Sequence, residues 1–205
     1  MKLYTHVLSP NARKVHAVAK HLGVALETEV IDLLNGKQYE PDFVAVNPNS
    51  KVPALVDGDT TLWESNAIVT YLAAKQDSPL APGGTAMADV LKWQSWENCH
   101  LSPAVGKLIG QYIFAPMRGA EPDAEVIEAA LKDFNKYAAV ADGVLAAQKF
   151  LCGDAPTVAD FGVAVWLSYE HVCKLPVGDH ANLQRWWNDV QALEGGSELL
   201  APAPN

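Results

Sequence analysis

Apolar residues in the first third of the chain follow two alternating rhythms. Lys2–His6 is a short run of strand formers. From Asn11 to Leu22, the residues Ala12, Val15, Ala19 and Leu22 repeat every three or four positions, a helical stripe that stops at Gly23. Leu26, Thr28 and Val30 then alternate with Glu27 and Glu29, so Leu26–Ile31 reads as a second strand. Strand, crossover helix and strand make a parallel βαβ unit. Tyr39–Val46 has room for one or two helical turns before Asn47-Pro48 ends them. Ala54–Val56 and Thr60–Trp63 flank Asp57-Gly58-Asp59, a hairpin signal, and a helix follows from Ser65 to Lys75. The predicted order is βαβ, an irregular link, then ββα.

Ser78-Pro79-Leu80-Ala81-Pro82-Gly83-Gly84 breaks this rhythm and reads as an interdomain linker. The predicted organisation is an α/β domain over 1–77, a linker over 78–86 and an all-helical domain over 87–205. Met87–Tyr112 carries apolar residues at Val90, Trp93, Leu101, Ala104, Leu108 and Tyr112, and Pro103 is expected to kink it. Val126, Ala130, Phe134, Tyr137, Ala141 and Val144 keep a steady i, i+3 or i+4 spacing. Val158–Leu167 is apolar nearly all round, the pattern of a central buried helix. Asn182–Leu193 closes the helical series, and the tail Ala201–Asn205 is expected to be loose.

Composition narrows the function classes. With 205 residues, 49% hydrophobic and 19% charged, the chain has ordinary globular composition, which excludes disordered and low-complexity readings. Cys99, Cys152 and Cys173 are odd in number and far apart, with no zinc spacing, which argues for a reducing compartment. The amino end has no apolar leader core and no long apolar run follows, so a cytoplasmic protein without membrane attachment is expected. Fifteen basic against 24 acidic residues give a net charge of −9, and no Lys/Arg cluster offers a face for nucleic acid. The first eighty residues hold 7 basic and 9 acidic groups against 8 and 15 in the remainder, so an anionic small ligand belongs in the first part. Six histidines show no HxxxH or HExxH spacing, and no metal site is expected.

Three short motifs have a structural and a chemical reading. Ser9-Pro10 lies between the first strand and first helix, where Ser9 can cap the helix. The same position can donate a hydrogen bond to a bound thiolate beside a helix N-terminus. Val52-Pro53 precedes the hairpin, and the base rate favours a trans bond. A cis bond would leave the Val52 N–H and C=O free to pair with an extended peptide. Glu64-Ser65 starts a helix; Ser65 can be a cap, or can grip a carboxylate while Glu64 takes an ammonium group. These sites suit a short peptide with a thiol at one end and a free α-amino acid at the other. Thr157-Val158-Ala159-Asp160 is a capping box, and Asp160 reads as a folding residue. Tyr4 reads as core, and Trp93, Trp96, Tyr112 and Phe114 as core or interface.

Taken in order, the stretches Leu3-Tyr4 through Ser9-Pro10-Asn11-Ala12-Arg13-Lys14-Val15, Asn47-Pro48-Asn49-Ser50-Lys51-Val52-Pro53-Ala54-Leu55, Leu62-Trp63-Glu64-Ser65-Asn66-Ala67-Ile68 and Thr157-Val158-Ala159-Asp160-Phe161 resemble the cytosolic glutathione transferases. The resemblance covers the whole chain. It implies a thioredoxin-like domain, a helical domain, a two-fold homodimer, a cis Val52-Pro53 bond and a role in detoxification. The loop Val7-Leu8-Ser9-Pro10-Asn11 is similar to the serine-type phi and theta groups, which implies Ser9 as thiolate stabiliser with Asn11 assisting. It lacks the Ser-Ser-Cys loop of zeta-class isomerases. Carried over, Val52 and Pro53 hold the cysteinyl unit, Glu64 and Ser65 the γ-glutamyl end, and Lys37 and Lys51 the glycyl carboxylate. Glutathione is then a co-substrate, with no separate cofactor, and the second substrate is a small hydrophobic electrophile bound mostly by the helical half. Peroxide reduction is a side activity of such sites. The competing readings are a glutathione-dependent disulfide reductase and a non-catalytic interaction module of the same fold.

Overall fold

The computed structural model describes residues 1–201; residues 202–205, and with them most of the tail expected to be loose, lie outside the described residues. Four strands, β1 (Lys2–Thr5), β2 (Glu27–Val30), β3 (Ala54–Asp57) and β4 (Thr60–Trp63), form one sheet in the order β2-β1-β3-β4. β1 and β2 run parallel across α1 (Pro10–His21), and β3 and β4 form an antiparallel hairpin that feeds α3 (Ser65–Lys75). The link between the halves holds α2 (Pro41–Val46). This is the thioredoxin-like βαβ–ββα order.

Local chemistry sets these boundaries. Pro10 opens α1 where a missing N–H costs nothing, and the helix ends in a Schellman turn. There Gly23 takes φ +66°, while its N–H and that of Val24 bond the carbonyls of Lys20 and Ala19. β2 occupies its expected place, but its alternation buries nothing: all four residues are exposed, Val30 to 69%. The strand lies at the sheet edge, where acidic residues such as Glu27 and Glu29 discourage pairing with another chain.

After the segment 76–85 the chain is helical. The single helix expected over Met87–Tyr112 is a continuous path of α4 (Ala86–Trp96), α5 (Ser102–Ile109) and α6 (Ala115–Met117), joined by π-helical turns at Glu97–Leu101 and Gly110–Phe114. Both turns have the same cause. Pro103 and Pro116 cannot donate to the preceding turn and their rings crowd it, so the helix widens just before each. The Ser102 N–H reaches back five residues to the Glu97 carbonyl, and the Ala115 N–H likewise to Gly110. The first widening sits at Glu97, whose side chain is fully buried.

The remaining helices are α7 (Ala124–Leu145), α8 (Val158–Leu167), α9 (Glu170–Cys173) and α10 (Ala181–Gln191). α7 buries Ala130, Phe134, Ala138, Ala141 and Leu145, and every residue of α8 is buried. Asp160 opens α8 and accepts four hydrogen bonds: from the Leu151 N–H (2.9 Å), the Thr157 N–H (2.8 Å), the Thr157 hydroxyl (3.1 Å) and Trp186 Nε1 (2.8 Å). One hydrophobic cluster crosses both halves, running from Leu3, Val15, Leu55 and Leu72 to Trp93, Phe134, Phe161 and Trp186. A smaller one beneath the α2 link joins Ile31, Phe43 and Ala54 with Tyr4 and Val52. Among the described residues no helix is long and apolar enough to cross a membrane.

Candidate active site

Strand register gathers the candidate residues at one end of the sheet. Tyr4 pairs with Ala54 and Ala54 with Trp63, so the end of β1, the start of β3 and the end of β4 lie side by side. The Ser9 loop leaves β1 there, Val52-Pro53 enters β3 there, and Glu64-Ser65 follows β4 there. β2 is parallel to β1 and ends at the same side, where the Ile31 N–H bonds the Thr5 carbonyl, and the loop carrying Lys37 follows.

Ser9 has extended backbone dihedrals, and its Oγ accepts the Ala12 N–H at 3.3 Å, so it is an N-cap. That contact uses a lone pair and leaves the hydroxyl proton without an acceptor among the described residues. Cap and donor are therefore compatible roles of one side chain. The Asn11 backbone N–H beside it also has no partner among the described residues. The Ser65 hydroxyl donates to Asn11 Oδ1 at 3.0 Å, joining the N-termini of α1 and α3. Two helix N-termini thus converge, each with free amides and a partial positive charge.

The Val52-Pro53 bond is cis, against the base rate and as the resemblance implies. Among the described residues neither the N–H nor the C=O of Val52 has a hydrogen-bond partner. Glu64 has φ +70° and ψ 111°, a strained conformation for a residue with a side chain, and its carboxylate is exposed. Lys37 Nζ pairs with Glu40 Oε1 at 2.6 Å one helical turn away, a bond that raises its pKa. Lys51 is exposed, and its carbonyl is held by Asn47 Nδ2 at 2.6 Å. Next to Lys37, the Gln38 Oε1 is buried without a partner among the described residues.

The pattern of the sequence did not single out the groups beneath this surface. Lys14 is completely buried, with Nζ 3.0 Å from both Asn66 Oδ1 and Glu97 Oε2. Trp166 Nε1 donates to the other Glu97 oxygen at 2.5 Å, and Asn66 Nδ2 to Oε2 at 3.0 Å. Burial pulls the Lys14 pKa down, while Glu97 and, more weakly, Glu64 oppose the fall. Arg13, 3% exposed, binds the carbonyls of Val7 and Leu199 and the Ser168 hydroxyl. Both cations lie on α1 beside the apolar stripe and are buried with it.

Other reactive groups lie elsewhere. Burial pushes the Cys152 thiol up to about 11 and the Cys173 thiol up to about 12, so both are inert near neutral pH. No cluster of metal-ligating side chains exists among the described residues. An open cavity of about 400 Å³ lies behind α1, lined by His16, Lys20, Leu26 and Glu198, and another of about 440 Å³ lies between α3 and α4. The first is remote from the Ser9 end of the sheet, since Leu26 precedes β2 and Gly23 follows α1.

Residues 1–74 match the family model described as "Glutathione S-transferase, N-terminal domain", and residues 105–194 match "Glutathione S-transferase, C-terminal domain". The chain is 34% identical to glutathione S-transferase 3 of Zea mays across 100% of its own length and 95% of that protein. It is 33% identical to glutathione S-transferase GstB of Escherichia coli K12, covering 89% of this chain and 88% of the other. A solved theta-class glutathione S-transferase from Xanthomonas axonopodis pv. citri, with glutathione bound, superposes with a TM-score of 0.89 at 28% identity, covering 98% and 97% of the two chains. The two family models, the sequence across its full length and the fold agree: the chain belongs to the glutathione S-transferase family.

Proposed function

We propose that this site binds glutathione with its thiol at Ser9 and its γ-glutamyl end at Glu64 and Ser65, and transfers the sulfur to a small hydrophobic electrophile. The observation that carries the reading is the meeting of two helix N-termini through the Ser65–Asn11 bond, with a spare hydroxyl proton at Ser9 on one side and the strained Glu64 on the other. A thiolate beside Ser9 receives the hydroxyl proton as a charge-assisted hydrogen bond, worth about 1.5–3 kcal/mol, and the Asn11 amide lies next to it. Val52 pairs its free backbone groups with the cysteinyl unit, with Pro53 shaping the turn. Glu64 takes the ammonium, and the free amides at the start of α3 take the α-carboxylate. Lys51 takes the glycyl carboxylate, and Lys37 joins it by leaving Glu40.

The thiolate then attacks the electrophilic carbon; the carbon–sulfur bond forms as the leaving group departs with its electron pair. Activity follows from thiolate supply and from holding the two reactants together. Residues 1–77 form the glutathione-binding domain and 87–205 supply the electrophile pocket. Peroxide reduction is a side reaction open to the same thiolate. Two copies of the chain are proposed to pair through the face that exposes Trp63 and Leu91, 42% and 51% accessible in the single chain. The disulfide-reductase reading has less support, because the Ser9 loop offers no cysteine and two of the three thiols are pushed far above neutrality. The protein is expected to be retained on immobilised glutathione and eluted by the free tripeptide. Passage without retention would refute the ligand assignment.

A further inference from the structure

We propose that Arg13 and Lys14, consecutive cations of α1, are positioning residues that divide the site between them: Arg13 holds the Ser9 loop for the thiol end of glutathione, and Lys14 holds the Glu64–Asn66 turn for the γ-glutamyl end. The proposal rests on the glutathione reading above. Adjacent positions of a helix point about 100° apart, so one pair of side chains reaches two different elements. Burying a charge carries a large desolvation cost, and apolar residues of similar volume often serve stability as well or better. Stability alone therefore gives no reason for two buried cations at this place.

The Ser9 loop is poorly anchored by its own side chains, since Val7 and Leu8 are 61% and 39% exposed. Its backbone is held instead. Arg13 Nη1 donates to the Val7 carbonyl at 3.3 Å, and the Tyr169 hydroxyl donates to the Leu8 carbonyl at 3.4 Å. Arg13 lies over the Tyr169 ring, 5.1 Å from its centre, and is itself fixed by Ser168 Oγ at 3.1 Å and the Leu199 carbonyl at 3.2 Å. The other bonds of this loop are local, from Leu8 and Ser9 amides to His6. Arg13 of α1, fixed to the helical half through Ser168 and Leu199, and Tyr169 of that half thus form a clasp on the loop that carries Ser9.

Lys14 acts on a different segment. It bonds the Asn66 carbonyl oxygen of the side chain and the Glu97 carboxylate, and Asn66 also donates to Glu97 and to the Gln94 carbonyl. Asn66 is two residues from Glu64, whose positive φ must be held by its surroundings. Gly162 of α8 closes the packing: a Cβ there would lie 3.5 Å from Asn66 Oδ1 and 3.8 Å from Lys14 Nζ.

The test compares Arg13→Lys and Tyr169→Phe with the paired substitution Lys14→Met/Glu97→Gln, which removes both charges yet keeps a carbonyl oxygen for Trp166 and puts a donor amide where the second carboxylate oxygen stood. In the first two, kcat is expected to fall about ten- to hundredfold and the bound thiol pKa to rise about one unit, with glutathione Kd within roughly twofold of wild type. In the paired variant, Kd is expected to weaken about tenfold or more, with the thiol pKa at saturation unchanged. Tyr169→Phe removes one bond only and reads the clasp even where Arg13→Lys fails to fold. Hydrogen exchange without ligand supplies an independent reading: residues 6–9 exchange faster in the first two variants and residues 64–67 in the third. Variants that move both quantities together, or exchange that rises in both segments alike, would overturn the division. A wild-type protein that binds no glutathione would overturn the ligand reading, and the exchange pattern would still decide between the two clasps.

Discussion

At Ser9 two demands are proposed to meet on one hydroxyl: a helix amide needs an acceptor and a bound thiolate needs a donor. Geometry lets both be met, since the Ala12 contact occupies a lone pair and leaves the proton. Glu64 shows the opposite arrangement, an exposed carboxylate on a strained backbone, so its removal costs the fold little and the ligand much. Glu64→Ala is expected to weaken glutathione binding by about 2–3 kcal/mol, the loss of a charge-assisted contact to an ammonium group. Calorimetric titration with unchanged affinity would place the γ-glutamyl end elsewhere. Lys37 shows what residue type alone leaves out: it pairs with Glu40 one turn on, so the proposed carboxylate contact has to replace that pair.

Among the elements, α8 depends on a single carboxylate. Asp160 satisfies two backbone amides, a hydroxyl and an indole from three segments, so Asp160→Ala strands buried donors as well as uncapping the helix. The expected loss is about 3–5 kcal/mol of unfolding free energy, more than the ~1 kcal/mol of an ordinary cap. A loss of activity at an unchanged melting temperature would contradict this structural role. α10 is capped from outside by Asp142, which accepts the Asn182 and Leu183 N–H groups at 2.8 and 3.0 Å. Burial raises its pKa, but these bonds outweigh it and hold the carboxyl below its ordinary value of 3.8. A depressed carboxylate stabilises the fold above its ordinary value, and that stability is lost as pH falls through its folded value. The difference in urea midpoint between wild type and Asp142→Asn is thus expected to be constant above pH 3.8 and to narrow below it. A difference that persists into strong acid would show that the cap acts through neutral hydrogen bonding.

The pattern of the sequence reached most elements, because their signals are local. Gly23 stops α1, Asp57-Gly58-Asp59 turns the hairpin, and the uninterrupted apolar run of Val158–Leu167 foretells a helix buried on all sides. Two kinds of feature escaped. The π turns need the wide helix that Pro103 and Pro116 impose, and only the first proline was read as a disturbance. Lys14 and Glu97 stand 83 positions apart, each reads alone as a solvated charge, and only the packing of α1 and of the α4–α5 turn against α8 makes them a buried pair.

Across the whole molecule, the two halves share one hydrophobic cluster and are crossed by the Arg13 and Lys14 bonds. They are therefore expected to unfold as one cooperative unit. Five of the six tryptophans lie in the helical half, so their fluorescence follows that half while far-ultraviolet dichroism follows both. Coincident transitions are expected, and separated ones would show the halves to be independent. The proposed chemistry rests on one contact, a serine hydroxyl donating to a bound thiolate at the start of a helix. Its most direct test is the ultraviolet thiolate absorbance of bound glutathione as a function of pH, wild type beside Ser9→Ala. The thiol pKa is expected to rise by about one unit or more in the variant, since a charge-assisted hydrogen bond of ~1.5–3 kcal/mol is lost and one unit is about 1.4 kcal/mol. Superimposable titrations would contradict it and assign the thiolate to the amides of α1.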